Sequence, residues 1–198
     1  MVRKLTEVEK PVFSLEGRIP QSPVIFQVEF EHIPEPNNLT VEQLQQSPAL
    51  HASVLEQHSA YYLHWIQQRS DALKDRRLTA MLNEMDAEIE NARAAWEYAV
   101  AHGPNEGLAQ AIDALMRYYE RRGRFAEGDL LCRLLTTREG LATPTLAHAI
   151  ALTWQGTFAT QYGQLTDARD DLQSSLNILE TLQADPAQIR EARALSLW

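Results

Sequence analysis

Six histidines are the residues of this chain that could bind a metal ion. His51, His58 and His64 fall in one helical stretch, but no two of them have the i, i+4 spacing of helical zinc ligands, and no His-Glu-x-x-His sequence occurs. His51 and His58 share a helix face at a separation of about 10 Å along the axis, which is too far for two ligands of one zinc ion. The histidines are therefore predicted to be packing or surface residues, and no metal or other cofactor is expected.

Paired carboxylates are the second candidate for chemistry. Asp86 and Glu90 in "MDAEIENAR", and Asp167 and Asp171 in "DARDD", each have i, i+4 spacing on a helix. General acid–base catalysis needs a desolvated carboxyl beside a differently placed partner, and no set of nucleophile, base and orienting group accompanies these pairs. They are interpreted as solvated helix faces with salt pairs, and the chain is predicted not to be an enzyme. An enzyme that these patterns do not reveal remains the alternative.

The sequence "RYYERRGR", residues 117–124, combines arginines with aromatic rings and could clamp a nucleic acid or a phosphate. The alternative is structural, because arginines at a helix C-terminus complement its dipole and Glu120 neutralises one of them. A formal charge of −9 disfavours general affinity for nucleic acids and for anionic membranes. Direct nucleic-acid binding is therefore not expected, and neither is membrane binding.

Cys132 is the one cysteine, which excludes an intrachain disulfide and a thiolate zinc cluster. Its apolar context, "GDLLCRLL", predicts a buried, inert thiol. The N-terminus has no apolar leader, and no run approaches the roughly 18 apolar residues of a membrane span. These features predict a cytoplasmic protein.

The elements that must position these residues are mainly helices. Residues 1–40 hold five of the nine prolines and are predicted to be irregular. The alternation in "VIFQVEF", residues 24–30, predicts one strand or one arm of a hairpin. From 41 onward the apolar period is helical: 41–104 is predicted to be a helical linker or cap. Residues 105–198 are predicted to form stacked antiparallel helical hairpins whose last unit is truncated.

Two glycines mark an internal repeat. Gly123 and Gly163 are 40 residues apart, and each follows a tyrosine-containing helix end. A large apolar residue comes two positions after each glycine, and a small residue, Gly128 or Ala168, comes five positions after it. Both glycines are predicted to make the turn between two helices, with positive φ.

This pattern resembles the tetratricopeptide repeat, most clearly over 149–182. The resemblance implies a short right-handed superhelix in which Gly156 lets the two helices of a hairpin pack closely. Ala168 and Ser175 would be the other small contacts between neighbouring helices. The unit at 109–142 departs from the pattern, because Met116 stands where the first small residue is expected.

A second resemblance covers about residues 41–198. "HSAYYLHWIQQ", 58–68, followed by "EIENARAAWEYAVAHG", 88–103, is similar to the linker that opens the repeat region of large bacterial transcriptional regulators of the LuxR and SARP/AfsR types. Those regulators carry a STAND NTPase module, whose phosphate-binding loop needs a lysine after glycine. Only Lys4, Lys10 and Lys74 occur here, none after glycine, so the resemblance is to the sensor arm alone, without NTPase or DNA-binding domain.

The predicted function is protein or peptide binding in a groove lined by the first helix of each hairpin. By the resemblance, the predicted groove consists of Gln110, Asp113, Arg117, Glu120, Arg121, Thr153, Thr157 and Gln161. Its mixed charge suits a peptide of mixed charge. The alternative is a repeat fragment that forms a homodimer through its open last helix, using Leu195, Leu197 and Trp198.

Overall fold

The computed structural model describes residues 48–74, 78–102, 105–138 and 144–182, and this part is mainly helical, with no strand in it. The mainly α fold class is thereby confirmed. The helices are α1 (Pro48–Gln67), α2 (Leu78–His102), α3 (Asn105–Arg121), α4 (Phe125–Thr136), α5 (Leu146–Gln161) and α6 (Leu165–Thr181), with a 3₁₀ helix at Ala72–Lys74. The predicted strand at 24–30 and the predicted boundaries at 40 and 104 lie outside the described residues.

The chain divides into two compact units, Met1–Val54 and Leu55–Trp198. Of the first unit, the structure describes only 48–54, the beginning of α1. The packing that follows belongs to the second unit.

Helices α1 and α2 form an antiparallel pair. The hydroxyl of Ser59 donates to the Ala95 carbonyl at 2.8 Å, and the hydroxyl of Tyr62, further along α1, donates to Glu88, further back along α2, also at 2.8 Å. Between them lies an apolar core whose largest fully buried members on these helices are Ile66, Met85 and Trp96. The Trp96 indole donates to the Leu131 carbonyl at 3.1 Å and so joins this pair to α4.

The turns from α3 to α4 and from α5 to α6 have the same geometry. Gly123 has φ +68° and Gly163 has φ +72°, which confirms the predicted left-handed turns. In both turns the backbone N–H of the residue after the glycine donates to the carbonyl of the residue four positions before the glycine. Arg124 donates to Tyr119 at 2.9 Å, and Gln164 donates to Ala159 at 3.0 Å. This bond closes a Schellman motif, in which glycine satisfies helix-end carbonyls that would otherwise lack a donor. The 40-residue repeat in the sequence is thus a repeat of helical hairpins.

The second hairpin consists of α5 and α6, and these two helices approach each other closely. A Cβ on Gly156 would lie 2.9 Å from Leu172 Cγ and 3.0 Å from the Ala168 carbonyl oxygen. Ala168 and Ser175 are both buried on the facing side of α6. The predicted role of Gly156 as a close helix contact is therefore confirmed.

The first hairpin, α3 and α4, has large and small residues exchanged at the corresponding positions. Met116 and Cys132, each 40 residues before Gly156 and Leu172, are fully buried, with their sulfur atoms 3.2 Å apart. In the first hairpin the large residue, Met116, is on the first helix and the small one, Cys132, is on the second. In the second hairpin the order is small then large, so the space between the helices is filled in both. Burial raises the pKa of the Cys132 thiol well above its usual range, as expected for an inert thiol.

Helix α5 lies at the centre of the repeat region. It packs against α3, α4 and α6, and buried residues occur around most of its circumference. Phe158 of α5 meets α4 at Gly128, where a Cβ would lie only 2.7 Å from the Phe158 ring. This packing sets the first helices of the two hairpins, α3 and α5, side by side, which is the arrangement that a groove on their shared face requires.

Candidate functional site

The α3 residues of the predicted groove share one face of that helix. Gln110, Asp113, Arg117 and Glu120 follow one another at three- or four-residue spacing, with Arg121 beside them. Gln110 and Arg121 are exposed, and the other three are partly exposed. Arg121 Nε lies 3.9 Å from the Glu120 carboxylate, a distance typical of a loose surface pair.

Arg117 joins this face to α5. Arg117 Nε donates to the Asp113 carboxylate at 2.8 Å, and the side chains are only 19% and 16% exposed. The Arg117 guanidinium also lies over the ring of Trp154, at 5.6 Å from its centroid. A cation that is partly removed from water gains more from an aromatic face than an exposed one does. Trp154 is not among the residues predicted for the groove, because its helical position alone predicts only core packing.

The α5 residues of the predicted groove are divided between surface and interior. Gln161 is exposed and Thr157 is partly exposed. Thr153, in contrast, is 2% exposed, so its place in the predicted groove is wrong. Its hydroxyl lies 2.9 Å from that of Ser175, and both reach the Ala149 carbonyl, at 3.0 and 2.7 Å. Thr153 faces α6 inside the hairpin, where this hydrogen-bonded group satisfies two buried hydroxyls.

A cleft of about 450 Å³ opens between α1, the end of α2 and the beginning of α3. Its lining includes Glu56, Ala60, Leu63, Tyr98, Ala99 and Gln110. We call it the α1–α3 cleft. Because Gln110 also belongs to the predicted groove, the cleft continues that surface toward α1.

The arginines of the 117–124 cluster each lie beside a carboxylate. The pairs are Arg117–Asp113, Arg121–Glu120, Arg122–Asp86 and Arg124–Glu127. Arg124 lowers the pKa of Glu127 by hydrogen bonding to it. The cluster therefore presents little net positive charge of the kind that holds nucleic-acid phosphates.

Tyr118 within this cluster is also committed to internal contacts. Its hydroxyl donates to Asp86 at 2.8 Å and receives a hydrogen bond from Arg124 at 3.1 Å. Burial, followed by the bond to Asp86, raises the pKa of Tyr118 to about 12. Asp86 thus holds α2 against the end of α3, whereas Glu90 pairs with Arg93 of its own helix at 2.6 Å.

The three histidines of α1 differ in environment. His51 and His64 are exposed, whereas His58 is 2% exposed and packs against the Tyr62 ring at 4.8 Å. Burial lowers the pKa of His58 to about 4. Within the described residues, no group of three or more histidine, cysteine or acidic side chains has the arrangement of a metal site.

Asp171 of α6, one of the paired carboxylates in "DARDD", is partly buried. Burial raises its pKa, and Arg133 of α4 opposes the rise. Asp171 does not line the α1–α3 cleft. A raised carboxyl pKa alone does not identify a catalytic acid, because structural charge clusters shift pKa values in the same way.

Leu195, Leu197 and Trp198, the predicted self-association residues, lie outside the described residues. None of the described helices combines the length and apolar character needed to cross a membrane. No protein-family model, no curated protein and no solved structure matches the chain.

Proposed function

We propose that this chain is a non-enzymatic interaction module that binds a peptide segment of a partner protein on the surface shared by α3 and α5. The binding surface consists of the predicted groove without Thr153 and includes the rim of the α1–α3 cleft at Gln110. Binding would depend on shape and charge complementarity, with no covalent step.

The observation that carries the proposal is the Asp113–Arg117 ion pair against Trp154 of α5. It fixes the charged centre of the surface across two helices, so a ligand meets a preorganised pattern of donors and acceptors. Exposed Gln110 and Gln161 lie at the two ends of this pattern and offer amide groups that can pair with a peptide backbone.

The resemblance to the sensor arm of LuxR- and SARP/AfsR-type regulators supports a bacterial regulatory context for such binding. The peptide would then belong to a partner that reports a signal to the regulator. The repeated hairpin turns at Gly123 and Gly163 are the structural feature that supports the tetratricopeptide-repeat part of this proposal.

The test begins with selection of short random peptides displayed on phage against the purified chain. Enriched peptides should bind with dissociation constants on the order of 1–100 μM. The double variant Gln110→Arg and Gln161→Arg should weaken binding by about tenfold or more, because the added charges disturb both ends of the surface. Fluorescence anisotropy of labelled peptides measures the dissociation constants of the wild type and of the double variant.

Gln173→Arg is the matched control. Gln173 is exposed on α6, away from the shared surface of α3 and α5, and the substitution makes the same change of side chain. We expect it to change the dissociation constant by less than about twofold. Failure to enrich any peptide, or equal weakening by Gln173→Arg, would contradict the proposal.

A further inference from the structure

We infer that the α1–α3 cleft accepts a basic side chain, arginine or lysine, of a bound peptide, with the cationic head near Glu56 and the stem along the apolar floor. The identification of the carrier as a peptide rests on the proposed function. The preference of the cleft for a basic side chain rests on the cleft alone.

The charge of the lining supports a cation. Glu56 is the only Asp, Glu, Lys or Arg side chain among the described residues that line the cleft, and it is exposed at the rim. An ionised carboxylate accepts hydrogen bonds and donates none, so it pairs with the ammonium of lysine or, with two parallel bonds, with the guanidinium of arginine. The net charge of −9 favours the approach of a basic ligand over an acidic one.

The cleft has further polar side chains: Ser59, His64, Gln67, Tyr98, His102 and Gln110. Two of them make hydrogen bonds to a residue four positions away, His64 with Gln68 at 2.8 Å and His102 with the Tyr98 carbonyl at 3.2 Å. The Ser59 hydroxyl uses its proton in the bond to the Ala95 carbonyl at 2.8 Å, so the oxygen of this lining residue keeps acceptor capacity only. The Tyr98 ring stacks on His102 with centroids 4.6 Å apart and adds aromatic surface at the edge of the cleft. Aromatic surface attracts cations, and guanidinium groups most often.

The floor of the cleft suits the stem of a basic residue. Ala60, Leu63 and Ala99 supply apolar carbon atoms from α1 and α2. Lysine and arginine bury their methylene groups against such surfaces while the charged head stays near water. At about 450 Å³, the cleft can take the side chain together with part of the flanking peptide backbone.

The test uses N-acetyl-arginine methylamide and its citrulline analogue, which has nearly the same shape and no charge. Each compound is titrated into the uniformly ¹⁵N-labelled chain, and amide chemical shifts are followed. We expect the arginine compound to shift the amides of Ala60, Ala99 and Gly107, with a dissociation constant on the order of 10 mM. The citrulline compound should bind about fivefold more weakly.

Two variants test whether Glu56 is the carboxylate that pairs with the bound cation. Glu56→Gln should abolish the preference for arginine over citrulline. Glu180→Gln, which removes the same charge from an exposed position on α6, should preserve it. Equal binding of the two compounds, shifts outside the cleft, or no shift at all would overturn the inference.

The outcome is separable from that of the peptide selection. If the arginine compound binds in the cleft but no displayed peptide is enriched, the cleft preference stands and the proposed function is wrong. If peptides bind the groove but arginine and citrulline bind equally, the proposed function stands and the cleft preference is wrong.

Discussion

Replacing Gly156 by alanine should lower the free energy of unfolding by about 2 kcal/mol. The new methyl group would lie 2.9 Å from Leu172 Cγ and 3.0 Å from the backbone oxygen of Ala168. Neither atom is the free end of a flexible side chain, so α5 and α6 must move apart to admit it. Alanine in a helix is more stable than glycine by about 0.5–1 kcal/mol. The expected loss in the free energy of unfolding is the net effect after this gain is subtracted. Urea unfolding followed by far-UV circular dichroism measures the change.

Gly107→Ala is the control for the intrinsic effect of the substitution. Gly107 is also helical, but a Cβ there would lie 3.4 Å from Leu63 Cδ1, an ordinary van der Waals contact. The free energy of unfolding of the Gly107→Ala variant should therefore equal that of the wild type within about 0.5 kcal/mol, or exceed it. If Gly156→Ala were as stable as Gly107→Ala, the close packing of α5 on α6 would be refuted.

Acidification should destabilise the chain through His58. Its pKa is about 4 in the folded chain because of burial, against 6.5 for an unperturbed histidine. Below about pH 6.5 the unfolded chain binds a proton that the folded chain does not, so stability falls with pH until about pH 4, where both states are protonated. The full loss is about 3 kcal/mol, since each pKa unit corresponds to about 1.4 kcal/mol. Denaturant titrations at a series of pH values measure it.

The contribution of His58 is isolated by comparing two variants. His58→Phe keeps a ring against Tyr62 and cannot take up a proton, so its stability should fall less between about pH 6.5 and pH 4 than that of the wild type. His51→Gln, at an exposed position of the same helix, should retain the wild-type dependence. Burial also lowers the pKa of His148, so a smaller loss in this pH range should persist in His58→Phe. Parallel curves for His58→Phe and the wild type would show that His58 is accessible to protons when folded.

The repeated hairpins could be predicted because their local chemistry is explicit in the sequence. A glycine after a helix end, followed by a new apolar period, predicts the left-handed turns that Gly123 and Gly163 make. The pairing of Met116 with Cys132 could not be predicted in this way. Each residue alone departs from the repeat pattern, and only their contact across the hairpin shows that the two departures compensate.

The candidate site was less predictable than the fold. Helical spacing places Thr153 and Thr157 near one another on α5, but the rotation of α5 against α6 decides that Thr153 is buried and Thr157 is not. That rotation results from the packing of four helices on one another. The α1–α3 cleft is further removed from sequence patterns, because Glu56, Ala99 and Gln110 come from three different helices and only the packing of those helices brings them together.

The central claim, peptide binding on the shared surface of α3 and α5, is tested most directly by mapping an enriched peptide on the amide spectrum of the ¹⁵N-labelled chain. We predict that the largest shift changes fall on 110–121 and 157–161, with smaller changes at the α1–α3 cleft. Shift changes concentrated instead on α4 and α6, around Leu134 and Gln173, would place the ligand on the opposite helices of the hairpins and contradict the account.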